Sequence, residues 1–375
     1  MKLPITFNAT SMAMVCVTML ASSDYVSAYN TQPTHFSNSY ILVQNSQKQA
    51  DDLLTSGNRK FHKKDYVGAI SDFSQSIQIS PNFEKAFYNR AVAYDLSGNR
   101  QNAIDDYSQV IKLNPQNISS YFNRAVSKGK NGDQQGALSD LNRVIQIDPN
   151  YVDAYLNRGN LRQESGDSQG AIADFSQAIK LKPNRAEGYL NRGLTKYKIA
   201  DIQGALSDYD LAIKANPKYD LAYNNRAWTR LESGDTQGAI ADYDRAIQLN
   251  PNYYSSYYNR ANIRRKSGDN NGAVADYTKT IQLKPDYIFA YNNRGLAQKN
   301  LKDFQAAISD FSKTIEINPD FAEAYYNRAA TRQDLKDRSG AISDFKTAAK
   351  LYQQQGNKKQ STNALTLVWQ IQNQK

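Results

Sequence analysis

An asparagine followed by an arginine recurs eight times, at Asn89-Arg90, Asn123-Arg124, Asn157-Arg158, Asn191-Arg192, Asn225-Arg226, Asn259-Arg260, Asn293-Arg294 and Asn327-Arg328, always 34 residues apart. A primary amide both donates and accepts hydrogen bonds, and a guanidinium holds carboxylates or phosphates in a two-point grip. The pair therefore has the chemistry of recognition. Two further residues keep the same step: an aspartate, at Asp72, Asp106, Asp140, Asp174, Asp208, Asp242, Asp276, Asp310 and Asp344, and a proline, from Pro81 to Pro319. Pairing each aspartate with the arginine of the following copy uses all eight arginines and leaves Asp344 alone. On this reading the arginines fix the register between copies through partly buried ion pairs, and the asparagines are the half free to act. The rival for the arginines is a basic stripe for phosphate or acidic peptide.

Other chemistry is scarce. The chain has two histidines, His35 and His62, and one cysteine, Cys16, so no histidine metal cluster, paired general base or disulfide can be assembled. Phosphate-binding glycine loops, dinucleotide fingerprints and zinc or calcium motifs are absent from the sequence. Carboxylate pairs such as Asp105-Asp106 contain the aspartate that recurs with the 34-residue step and belong most simply to a solvated helix face. The chain reads as non-enzymatic, without cofactor or metal. A net charge of +10 permits attraction to nucleic acid, yet 46 basic residues are interspersed with 36 acidic ones along the whole length.

A fixed step without insertions means one supersecondary unit copied along an axis, so length counts copies and not domains. Nine copies fall in register: 50–83, 84–117, 118–151, 152–185, 186–219, 220–253, 254–287, 288–321 and 322–355. Each reads as two helices. In Ala154–Glu164 a large Tyr155 and a small Gly159 stand four apart on one face, and a Ser-Gly-Asp turn follows at 165–167. The second helix carries alanine and an aromatic four apart, as in Ala171 and Phe175, and proline ends it because the preceding residue is pushed out of helical geometry. These positions resemble the tetratricopeptide repeat family: small at 8, Ala at 20, aromatic at 24 and Pro at 32. Alanine at position 20 is present in all nine copies, Ala69 through Ala341, while Leu141 replaces the aromatic once and the last copy lacks the proline. The resemblance implies an all-α, right-handed superhelical solenoid.

The ends differ. Residues 356–375 place Ala364, Leu367, Val368 and Ile371 at helical spacing, as a capping helix would. Residues 1–28, with Lys2, an apolar run from Met12 to Ala21 and small residues before Tyr29, read as a signal peptide, and the polar stretch 29–49 as a disordered tether. Export to a periplasmic, lumenal or secreted location follows if the signal is cleaved, and a cytoplasmic location otherwise. The run is too short to leave a membrane span behind.

On the first helix, positions 2, 5, 6, 9, 12 and 13 share a face opposite positions 4, 8 and 11. The resemblance implies that this face lines the concave surface of the superhelix. Its residues drift from copy to copy except position 6, the asparagine. Asn89, Asn123, Asn157, Asn191, Asn225, Asn259, Asn293 and Asn327 then form a ladder of amides able to hold the backbone of an extended peptide, against the alternative that they fix repeat stacking. Selectivity falls to Leu190, Leu194, Tyr197, Leu221, Trp228, Tyr258 and Phe289. A carboxylate clamp of the kind some family members use is not expected: its asparagines match Asn58 and Asn89, but Leu54, Ser119 and Asn123 stand where bases belong. The expected function is a scaffold binding a protein or peptide segment. A nucleic-acid binder, or an assembly factor or subunit of a larger complex, is the alternative.

Overall fold

The structure is a computed structural model and describes residues 37–373. The expected signal peptide, and the expected tether as far as residue 36, lie outside the described residues. Nineteen helices and no strand occur among the described residues. The first helix, Ser37–His62, is a correction to the tether: residues 37–49 continue the first repeat helix outward in place of a coil. No proline or glycine interrupts the chain between Ser37 and Ser56, and Gln47 and Ala50 are tied to the following helix through Ser80 and Ser76. Lack of an apolar period is weak grounds for a loop when nothing breaks the helix.

From there each repeat is a helical hairpin. In the repeat 220–253 the helices are Asp220–Glu232 and Thr236–Leu249, and consecutive helices pack against one another throughout each body described below. Aspartate caps the second helix: Asp235 accepts from the Gly238 N–H at 2.8 Å. The glycine lets the cap close tightly, because a β-carbon there would lie 2.1 Å from an Asp235 carboxylate oxygen unless the carboxylate shifted. The repeat 288–321 carries Ala306 at this place, and its bond to Asp303 stretches to 3.2 Å. The turn before the cap needs one left-handed residue, glycine at Gly98, Gly132, Gly166, Gly234 and Gly268 but a side-chain-bearing residue at Lys64, Ala200, Lys302 and Lys336. Each second helix of the first eight repeats ends one residue before its proline, in an extended cap residue such as Asp148 (φ −129°, ψ 96°).

The described residues form two compact bodies that divide after Pro183. In both, the core is a stack of alanine and aromatic side chains. Position 20 is fully buried alanine, and position 24 (Phe73, Tyr107, Leu141, Phe175, Tyr209, Tyr243, Tyr277, Phe311 and Phe345) is also buried completely. Leu141 fills the aromatic slot without opening the core. The small residue at position 8 faces this aromatic: a β-carbon at Gly159 would meet the Phe175 ring at 2.6 Å, and one at Gly193 the Tyr209 ring at 2.8 Å. In the second body the helix Lys358–Asn373 closes the stack, burying Ala364, Val368 and Ile371 on Ala329, Phe345 and Ala349, with Arg338 donating to the Ile371 carbonyl at 2.9 Å.

Replacing Ala200 by glycine should remove the cost of a left-handed alanine, about 1 kcal/mol or more, against a smaller loss of chain entropy. The expected result is a gain of roughly 0.5 kcal/mol in urea unfolding; a loss would show that the turn tolerates its side chain without strain.

Candidate binding face

The repeated arginine is built into the hairpin. Arg226 donates from Nε and Nη2 to the two oxygens of Asp242 at 2.8 and 2.6 Å, and its guanidinium lies 5.5 Å from the centre of the Tyr223 ring. Arg230, one turn further on, donates to the same carboxylate at 2.8 Å. All eight arginines repeat the first contact, each with the aspartate 16 residues later, from Arg90–Asp106 to Arg328–Asp344. This corrects the pairing expected from the count. The partner lies in the arginine's own repeat, so Asp344 is paired and Asp72 is the aspartate without an arginine. Lys60 holds Asp72 through one oxygen at 2.8 Å, while the other is buried without a partner.

Register between repeats comes from the third nitrogen. Arg90 Nη1 donates to Ser74, Arg124 to Ser108 and Arg158 to Asn142 in the first body; Arg226 donates to Asp210, Arg260 to Asp244, Arg294 to Thr278 and Arg328 to Ser312 in the second. Burial alone would depress the pKa of Arg226, but the hydrogen bonds it donates to Asp242 and Asp210 outweigh it and hold the group above its ordinary value. Burial pushes the Asp106 carboxyl up against the pull of Arg90; the repeat holding it has Tyr94 where others place a second cation. No arginine of the series is available as a phosphate stripe.

The asparagines divide. Asn123, Asn157 and Asn259 are buried, and the other five are half-buried. Four reach back to the preceding repeat: Asn89 donates to Asn58 at 2.7 Å, Asn123 to the Tyr88 hydroxyl at 3.0 Å, Asn293 to Asn262 and Tyr258 at 3.0 and 3.1 Å, and Asn327 to Asn292 at 3.0 Å. Asn157 and Asn225 instead donate to carbonyls in their own helices, Asp153 at 2.8 Å and Leu221 at 2.7 Å.

The expected selectivity set also divides. Leu190 and Tyr258 are buried, at 4% and 5% exposure, because position 5 packs between repeats and not on the open face. They are core residues. Position 4, on the opposite face, is mostly half-buried and supplies the ring against each arginine. Leu194, Tyr197, Leu221, Trp228 and Phe289 stay half-exposed in the second body. There Trp228 Nε1 donates to the Tyr197 hydroxyl at 2.6 Å, which in turn donates to Glu232 at 2.6 Å. Phe289 stands edge-on between Tyr287 and Phe321. The sequence reading passed over Glu232, Asn262 and Arg265 on this face; positions 9, 12 and 13 were the signal that could have found them. Among the described residues, no group of three or more His, Cys, Asp or Glu is arranged to hold a metal ion.

A tetratricopeptide repeat model matches residues 84–117, 221–253 and 288–321, a second model, described as TPR repeat, matches 129–166, 160–199 and 261–302, and a further tetratricopeptide repeat model matches 242–275. Together they cover more than half of the chain. No curated protein matches it significantly. Among solved structures, a tetratricopeptide repeat protein from Parabacteroides merdae is 18% identical, with a TM-score of 0.54 over 67% of this chain and 99% of that one. The C-terminal part of a TPR repeat-containing protein from Cytophaga hutchinsonii is 18% identical, with a TM-score of 0.52 over 66% and 98%. MamA is 28% identical, with a TM-score of 0.41 over 46% of this chain and 94% of that one.

Asp242→Ala removes the buried carboxylate that Arg226 and Arg230 share, leaving them only the exposed Asp210 and Asp235, and should cost about 3 kcal/mol in urea unfolding, whereas Asp72→Ala, which releases one half-exposed lysine, should cost under about 1 kcal/mol. Equal losses would mean that the two-arginine grip adds nothing to the fold.

Proposed function

The chain belongs to the tetratricopeptide repeat family, and from that premise we infer that it is a non-enzymatic interaction scaffold whose second body holds an extended peptide segment on its first-helix face. The observation that carries this reading is the partition of the repeated polar residues. Every repeated arginine is committed to an aspartate of its own hairpin. The asparagine beside it lies on a face whose other residues change from repeat to repeat, which is what a backbone-holding group with variable neighbours requires. In the second body the reach belongs to the half-buried members of the ladder, Asn191, Asn225, Asn293 and Asn327; Asn259 is too enclosed to meet a ligand. Asn225 is the best placed. Its amide is tied only to its own helix, and Leu221 and Trp228 flank it one turn either side.

Nucleic acid is the weaker partner, because a duplex or single strand needs a row of cations along the phosphates and the repeated arginines do not form one. The role of assembly factor or complex subunit is compatible with the same face and differs only in what it holds. Export is supported by the apolar run and small residues ahead of Tyr29, and no described helix is long and apolar enough to cross a membrane. Amino-terminal sequencing of protein from a secreting host should begin at Tyr29; a start at Met1 would remove export from the reading.

Random twelve-residue peptides displayed on phage and selected on the whole chain supply the ligand for a direct test. Asn225→Ala should weaken the best selected peptide about tenfold, the worth of one well-made buried hydrogen bond, without moving the unfolding midpoint. Asn327→Ala should lower the midpoint, since Asn327 bonds across the repeat boundary. Unchanged peptide affinity in Asn225→Ala would leave the asparagines as stacking residues only.

A further inference from the structure

We propose that Arg265 is the anchor for a carboxylate on the bound segment, so that a peptide held by the second body carries an aspartate or glutamate where it crosses the repeat 254–287. The proposal rests on the first-helix face being the peptide site and names the chemistry it selects.

In this body the cations at positions 7 and 11 are all committed. Arg192, Arg226, Arg260, Arg294 and Arg328 hold their aspartates, and Lys196, Arg230, Arg264 and Arg332 share them. Arg265 follows Arg264 in the chain but is turned about 100° around the helix, away from the Asp276 carboxylate and onto the same face as Asn262, three residues before it. Asp276 and Asp269, the acids on this seam, both turn to Arg264, at 2.9 and 3.7 Å. No carboxylate pairs with Arg265 among the described residues. Its side chain is half-buried, and its Nε is buried without a hydrogen-bond partner.

What surrounds it is polar but neutral. The guanidinium lies by the Tyr277 hydroxyl. That hydroxyl donates to Asn262 Oδ1 at 2.7 Å, and Asn293 donates to the same oxygen at 3.0 Å and to Tyr258 at 3.1 Å. The cluster orders the wall of the site without supplying a negative charge. A half-desolvated guanidinium with no counter-charge is a standing cost that an incoming carboxylate removes, and the bond it forms is charge-assisted on both sides. Lys266, exposed beside it, adds to the local positive potential. One unpaired, half-buried guanidinium fits a single acidic side chain better than a phosphate backbone, which would need a succession of such groups.

The test uses the full chain and the same displayed twelve-residue library. Peptides selected on the wild type should be enriched in Asp or Glu at one position relative to the apolar anchor; Arg265→Gln should lose that preference but keep the apolar one, and Arg265→Glu should invert it toward Lys or Arg. For one selected peptide, Arg265→Gln and replacement of the peptide's acid by its amide should each cost about tenfold in affinity, and the two together little more than either. The unfolding midpoint of Arg265→Gln should not fall, because no ion pair is lost. Apolar enrichment without an acidic preference, or an acidic preference that survives in Arg265→Gln, overturns this inference and leaves the peptide-binding reading standing. No enrichment on any of the proteins overturns the peptide-binding reading, and this inference with it. Binding of a single-stranded oligonucleotide that is lost in Arg265→Gln would reassign the residue to phosphate.

Discussion

The ion pair between positions 7 and 23 is the constraint on which each repeat depends. It joins the two helices of a hairpin near the middle of their contact, where the aspartate is almost fully buried and the arginine largely so. A buried carboxylate is tolerable only when its acceptor sites are filled, and here a two-point grip from one guanidinium fills most of them while a neighbouring cation often fills the rest. The tyrosine or phenylalanine at position 4 lies against the guanidinium and shields it further. With two of its nitrogens fixed on the aspartate, the arginine has one direction left for Nη1, back toward the preceding repeat. Holding the hairpin and holding its neighbour are thus one interaction.

This coupling explains how far the sequence could be read. The period, the alanine at 20, the aromatic at 24 and the proline at 32 are single-residue signals with single-residue causes, and each is legible without knowing what it touches. Partnership is different. A count of nine aspartates and eight arginines is balanced equally well by pairing forward or within a repeat, the two schemes differing only in which end is left over. Antiparallel helices decide it: across a turn near position 15, position 8 meets 24 and position 7 meets 23, as Gly159 meets Phe175 and Arg158 meets Asp174. The same arithmetic shows why position 8 is small. Its large neighbour is across the hairpin, not four residues back on its own helix.

The open face was less legible because periodicity alone cannot tell a surface from a seam between repeats. Position 5 belongs to the seam, which is why Leu190 and Tyr258 are buried while Leu194 and Trp228 are not. Position 6 sits on the border, and its asparagines follow their neighbours accordingly. Where the preceding repeat offers an acceptor, as Asn58 does to Asn89 or Tyr88 to Asn123, the amide turns to it; where the local surroundings are Leu221 and Trp228, Asn225 turns to its own helix. An identical residue thus has different work in different repeats, a distinction that no count of identities contains.

Deviations from the pattern show how much strain one repeat can absorb without disturbing the next. Position 11 lacks a cation at Tyr94 and at Gln298, and both sites show the consequence: burial raises the Asp106 carboxyl, and the Gln298 carbonyl oxygen is buried without a partner. Yet Arg90 and Arg294 keep the same grip on their aspartates, at 2.7 and 2.8 Å, as the arginines of better-satisfied repeats. The frame holds because each hairpin closes its own ion pair before it reaches for a neighbour, so a polar defect stays inside one repeat. The same locality frees the first-helix face to vary. A substitution at positions 9, 12 or 13 leaves the 7–23 pair intact, and a face assembled from such positions can change what it recognises without changing the fold that carries it.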